Sequence, residues 1–141
     1  MANNPDLANI ALFDMDGTLV DLSGQLAADL APLAAPEEAR GGLWDDHPHV
    51  MARMHLIKSQ PGWWERLPRL QLGFDVLAVA EALDFDIHVL TKGPIDHTDA
   101  WKEKVLWCRR ELDDAAKIHV TEDKSVVYGK VLVDEIGRAH V

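Results

Sequence analysis

Ile10-Ala11-Leu12-Phe13-Asp14-Met15-Asp16-Gly17-Thr18 decides how the rest of this 141-residue chain is read. Four apolar residues stop abruptly at an acidic, glycine-containing loop, the pattern of a short parallel strand buried on both faces that ends in a turn. Two later runs repeat it: Ile87-His88-Val89-Leu90-Thr91, after a helical pattern from Gly73 to Leu83, and Val131-Leu132-Val133-Asp134, after Gly129. A weaker strand candidate is Ile118-His119-Val120, which follows a helix-like segment from Thr98 to Leu112 with apolar positions at Trp101, Val105, Leu106 and Cys108. Strands alternating with helices of this length predict βαβ units, hence an α/β fold with a parallel sheet.

Between Leu22 and Pro68 the sequence becomes Ala/Leu-rich and Trp/His/Pro-rich, with no strand pattern and with Gly41-Gly42 and Pro61-Gly62 as punctuation. Residues 22–68 therefore read as a helical insertion, leaving 1–21 and 69–134 for the α/β core. The hydrophobic share of 48% and charged share of 27% are those of a chain that buries an ordinary core, which excludes a disordered or disulfide-stapled class. A net charge of -10, from 14 Lys+Arg against 24 Asp+Glu, repels polyanions and argues against a nucleic-acid polymer as partner. A small anion would need local help from a metal ion or from backbone N–H groups. The single cysteine, Cys108, cannot close an intramolecular disulfide and reads as a packed helix residue. Neither a signal-peptide pattern nor an apolar run of membrane-spanning length is present, so the expectation is a cytoplasmic protein with no membrane partner.

In open parallel sheets the site forms beyond the carboxyl ends of the strands. Here those ends carry Asp14 and Asp16, then Thr91 and Lys92, then Asp134 and Glu135. One Asp at a strand end is an ordinary turn residue. Three polar endings brought to one crevice would set carboxylates against each other unless a cation lay between them.

Asp14-Met15-Asp16-Gly17-Thr18-Leu19-Val20, directly after Phe13, resembles the first motif of the haloacid-dehalogenase-like (HAD-like) phosphohydrolases. In that resemblance Thr91 is the second motif, Lys124 the third, and Asp134 with Glu135 the acidic fourth. Pro61-Gly62-Trp63-Trp64, Trp101-Lys102-Glu103-Lys104, Trp107, Asp123-Lys124-Ser125-Val126-Val127 and Gly129-Lys130-Val131-Leu132-Val133-Asp134 are similar to the 5'(3')-deoxyribonucleotidase family. The likeness runs from Asn9 to Asp134 and is weakest between Leu26 and Ser59.

The resemblance implies a Rossmann-like, HAD-like core with a small helical cap inserted after the first strand. It also implies a Mg2+-dependent phosphomonoesterase acting on nucleoside monophosphates, deoxyribonucleotides above all. Asp14 would attack phosphorus and form an aspartyl-phosphate, and Asp16 would serve as general acid and then base. Gly17, Thr91, Lys92 and Lys124 would hold the phosphate, with Lys124 neutralising charge on the transferring group. Asp14, Asp16, Asp134 and Glu135 would supply oxygen ligands to Mg2+. Trp63 and Trp64 read equally as core residues or as an aromatic wall for a nucleobase, and the likeness favours a wall for at least one.

Other features take plainer readings. Trp101 and Trp107 are packing residues, and Asp21 is an N-cap. Asp45-Asp46-His47-Pro48-His49 lacks the Cys or spaced His partners of a zinc site and reads as a polar hinge or rim. Lys92 departs from the family, which carries Ser there, and this opens the base and sugar preference. After the fourth motif the family has a further strand and helix, which are expected to be missing here. The segment 135–141, Glu135-Ile136-Gly137-Arg138-Ala139-His140-Val141, reads instead as a translated sequencing adapter. Two alternatives stay open: a HAD-like phosphatase of another small phosphate ester, and a truncated fragment that only binds metal or nucleotide. A homodimer also stays open.

Overall fold

The structure, a computed structural model, describes residues 9–34 and 47–134. Strand β1 spans Ile10–Phe13, helix α1 Leu22–Leu30, α2 Pro48–Lys58, α3 Gln71–Ala82, β2 Asp86–Lys92, α4 Asp99–Glu111, β3 Lys117–Thr121 and β4 Val131–Val133. Short 3-10 turns cover Ala31–Leu33 and Lys124–Val126. All four expected strands and both expected core helices are present, with ends that differ by one or two residues.

The sheet has the order β3-β2-β1-β4 and every pairing is parallel. Strands β2 and β3 add to one side of β1 and β4 to the other, so the order reverses at β1, where such sheets open a crevice. Phe13 pairs with both Val89 and Val133, so β1 and β4 end level while β2 runs three residues further, to Lys92. The Asp14 N–H extends this by donating to the Val133 carbonyl at 2.9 Å. This register sets Asp14, Thr91 and Asp134 around one rim.

Strand alternation explains the core. Ala11, Phe13, Ile87 and Val89 share a buried face with Phe74, Leu77 and Ala80 of α3 and with Ala100, Trp107 and Cys108 of α4. Each fully buried Leu or Phe there contributes roughly 1.5–3 kcal/mol by leaving water. Burial also pushes the Cys108 thiol up to about 12, which suits a packed, inert residue. The helix face of α4 is not the expected one. Val105 and Leu106 are exposed at 37% and 40%, while Ala100, Glu103, Lys104, Trp107 and Cys108 are buried. Spacings of three and four select that stripe, and the exposed pair falls between its rows.

The expected insertion contains only helices and turns among its described residues. Asp21 caps α1 as expected, its carboxylate accepting from Gly24 N–H at 3.0 Å. Leu26, Leu30, Ile57, Trp63, Trp64 and Leu67 join the same buried cluster as the sheet, so the insertion has no separate core. Its two ends are stitched together. Val20 bridges Arg69, Asp21 N–H donates to Pro68 O at 2.9 Å, and Leu70 N–H to Leu19 O at 2.8 Å. Asp45, Asp46 and the segment 135–141 with Glu135 lie outside the described residues. His47 and His49 lie at the start of α2, with ring centroids 4.8 Å apart, and His47 accepts the His49 N–H.

Candidate active site

The loop after β1 is built around one carbonyl. Met15 O accepts the N–H groups of Thr18, Leu19 and Val20 at 3.2, 2.9 and 2.9 Å, while Gly17 N–H returns to Val20 O at 2.9 Å. Gly17 has φ +80°, the left-handed region that glycine enters without strain. Met15, Leu19 and Val20 are wholly buried anchors. From above, α3 presses so close that a Cβ on Gly73 would collide with the Thr18 carbonyl oxygen. The turn is therefore rigid, and Asp14 and Asp16 stay at its rim with side chains 16% and 29% exposed.

Each carboxylate has its own lysine. Lys124 Nζ donates to Asp14 Oδ1 at 3.1 Å from the 3-10 turn after β3. Lys104 Nζ donates to Asp16 Oδ2 at 3.0 Å, to Thr91 Oγ1 at 2.9 Å and to the Lys92 carbonyl at 2.9 Å. Lys104 is 1% exposed, and Thr91 is wholly buried. The sequence reading missed Lys104 as a site residue. Its signal was a lysine on the buried stripe of α4, a position that long charged side chains take only when paired. The neighbouring Glu103 accepts the N–H groups of Gly62 and Glu65, both at 3.2 Å, which anchors the Pro61-Gly62-Trp63-Trp64 turn to the same helix.

Burial raises the Asp14 pKa above the ordinary carboxylate value. Attraction to Lys124, its hydrogen bond and the Met15 N–H oppose that rise, and the Asp16 charge adds to it. Met15 N–H and Lys124 both use Oδ1, which leaves Oδ2 as the open oxygen of Asp14. Asp16 Oδ1 and Thr18 Oγ1 are buried without a hydrogen-bond partner among the described residues.

The remaining expected residues divide. Asp134 is exposed at the end of β4, beside Asp14 by register. Lys92 is exposed and joins the network through its carbonyl. Trp63 and Trp64 are each 5% exposed, with rings T-shaped at 5.2 Å. Their indole N–H groups donate to Asp29 at 2.8 Å and to Lys58 O at 3.0 Å. Both are core members, and Trp64 also borders the site, with its ring 5.2 Å from Lys104 Nζ. Trp107 N–H donates to Leu67 O and Trp101 N–H to Pro94 O, as packing residues do.

Among the described residues no group of three His, Cys, Asp or Glu side chains is clustered as a metal site. What the rim offers is oxygen only: the carboxylates of Asp14 and Asp134 and the backbone of the Asp16 turn. That set fits Mg2+, which takes one or two carboxylates and fills its other positions with water and substrate phosphate.

A family model described as "5' nucleotidase, deoxy (Pyrimidine), cytosolic type C protein" matches residues 8–139. No curated protein matches the chain.

Proposed function

The chain belongs to the 5' nucleotidase, deoxy (Pyrimidine), cytosolic type C family, a HAD-like nucleotidase family, and we propose that it hydrolyses deoxyribonucleoside monophosphates through an aspartyl-phosphate on Asp14. The observation that carries this reading is the pair of carboxylates two residues apart at the end of β1, each held by a different lysine. Lysines on separate elements keep the two acids chemically distinct, one to attack and one to transfer protons.

In the first step Asp14 Oδ2 bonds to phosphorus as the bond from phosphorus to the ester oxygen breaks. Asp16 gives that leaving oxygen a proton. Lys104, bonded to Oδ2, holds that carboxyl in place. In the second step Asp16 takes a proton from water, the water oxygen bonds to phosphorus, and the Asp14–phosphorus bond breaks to release phosphate. Thr91 Oγ1 already accepts from Lys104, so its own hydrogen is free to donate to a phosphoryl oxygen. Gly17 gives the backbone close approach, and Lys124 and Lys104 balance the charge that builds on the transferring group. Lys92 adds positive charge at the rim. Asp14, Asp16 and Asp134, with Glu135 following, would hold Mg2+, which when bound screens the carboxylates from the phosphate and acts as Lewis acid.

In this proposal residues 1–21 and 69–134 form the catalytic core and 22–68 the cap that excludes water and reads the nucleoside. Trp64 is the aromatic wall beside the phosphate site, and Trp63 backs it. No helix among the described residues is long and apolar enough to cross a membrane, and the proposed setting is the cytosol that the family description names. Phosphate release should be measured across nucleoside monophosphates and sugar phosphates, with and without Mg2+. Preference for deoxyribonucleotides, lost on chelation, is expected. Equal turnover of all esters would defeat the substrate assignment, and chelator-resistant turnover would defeat the metal assignment.

A further inference from the structure

The C-terminal end of α2 touches the loop that follows β2. His55 of α2 lies with its ring centroid 4.6 Å from that of His97, in the loop after β2, and Ser59 Oγ is 3.4 Å from His97 Nδ1. One residue before Ser59, the Lys58 carbonyl accepts the Trp64 indole N–H at 3.0 Å, and Trp64 faces Lys104, the partner of Asp16. The backbone of Lys58 is thus fixed one ring away from the two-lysine site.

Its ammonium is another matter. Among the described residues it has no ion pair and no hydrogen-bond acceptor, although the side chain is half-buried and burial lowers its pKa. The charges that act on it are Asp16, which favours the ammonium, and Lys104, which opposes it. A half-buried cation with no anion of its own, held near a carboxylate already paired elsewhere, is unfavourable unless a further anion joins the group. Lys104 and Asp16, across the Trp64 ring from the Lys58 backbone, belong to the site proposed above for the phosphate.

We propose that Lys58 is a further substrate-binding residue: the inserted helix supplies a third cation to the phosphate, beside Lys104 and Lys124 of the core. The identity of the phosphate ester rests on the nucleotidase reading, while the cation site itself rests on this geometry. Because Lys58 comes from the insertion and the other two lysines from the core, an anion bridging all three would also hold cap and core together.

The test uses Lys58→Gln and Lys58→Arg in the full chain. Inorganic phosphate binding in the presence of Mg2+ is measured by calorimetry, and deoxyribonucleotide hydrolysis by steady-state kinetics. For Lys58→Gln, phosphate affinity should fall about tenfold and KM should rise by a similar factor, with kcat changing less than about threefold; tenfold is about 1.4 kcal/mol. Lys58→Arg should restore most of both, which a purely structural role of the residue would not produce. Unchanged phosphate affinity and KM in Lys58→Gln would overturn the proposal. If wild type binds phosphate and Lys58→Gln weakens it, but no nucleotide is cleaved, the nucleotidase reading fails and this one stands. If wild type cleaves nucleotides and Lys58→Gln does so with an unaltered KM, this one fails alone.

Discussion

Replacing Lys104 with Met tests the site and the fold together. Met keeps the length and packing of the side chain and removes only the ammonium. That ammonium is 1% exposed and donates three bonds of 2.9–3.0 Å, to Asp16, Thr91 and the Lys92 carbonyl. Bonds to a charged group are worth about 1.5–3 kcal/mol each, so three would sum to more than 4 kcal/mol. Asp16 is 29% exposed, however, and recovers part of its solvation when the partner leaves. Removing one partner of a buried pair costs about 3–5 kcal/mol, and we expect the lower end, about 3 kcal/mol. For a chain of this size that is a fall in Tm of roughly 10 °C. Turnover should drop at least ~100-fold, because Asp16 and Thr91 lose the group that orients both. Lys124→Met provides the contrast. Its ammonium is 33% exposed with a single carboxylate partner, so its loss should cost less than about 1 kcal/mol of stability. Thermal melts by circular dichroism decide the matter: equal Tm values for wild type and Lys104→Met would refute the reasoning.

Asp14→Asn should abolish turnover, by at least ~1000-fold, as expected when a nucleophile is removed. Because burial raises the Asp14 pKa, its ionised form is disfavoured in the fold, so the neutral Asn should not lower Tm at pH 7. Lys124→Gln removes the attraction that pulls the Asp14 pKa down, so the acidic limb of the kcat/KM profile should move to higher pH; a limb that stays or moves down would contradict the pairing. Gly73→Ala should cost about 2 kcal/mol or more in urea unfolding, since its methyl group meets the rigid Thr18 carbonyl rather than a yielding side chain.

The sheet was legible because its strands are short apolar runs that end in polar turns, a signal that needs no knowledge of what packs on them. The positions of Asp14 and Thr91 were legible for the same reason, as residues at strand ends, whereas Lys124 was singled out only by the likeness of Asp123-Lys124-Ser125-Val126-Val127 to a family motif. Lys104 was not legible, because a lysine counts as solvent-facing in any hydropathy pattern. Only the phase of α4 set by Ala100, Trp107 and Cys108 puts it inside, and Val105 with Leu106 suggested a different phase. The tryptophan pair was ambiguous for another reason. Its burial depends on Asp29 and Lys58 O accepting the two indole N–H groups, contacts between segments whose pairing no local pattern encodes.

The stitching of Leu19, Val20 and Asp21 to Pro68, Arg69 and Leu70 separates two design problems. The chain leaves the sheet and returns to it at adjacent points, so whatever is threaded between them does not strain the register of β1 against β2. Lengthening such an excursion costs little, about 0.6 kcal/mol for each doubling of an unstructured loop. The neck therefore sets little limit on the length of what lies between, whereas Leu26, Leu30, Ile57, Trp63, Trp64 and Leu67, buried in the sheet's own cluster, tie the insertion to the core, and an exchange made at this neck has to carry them.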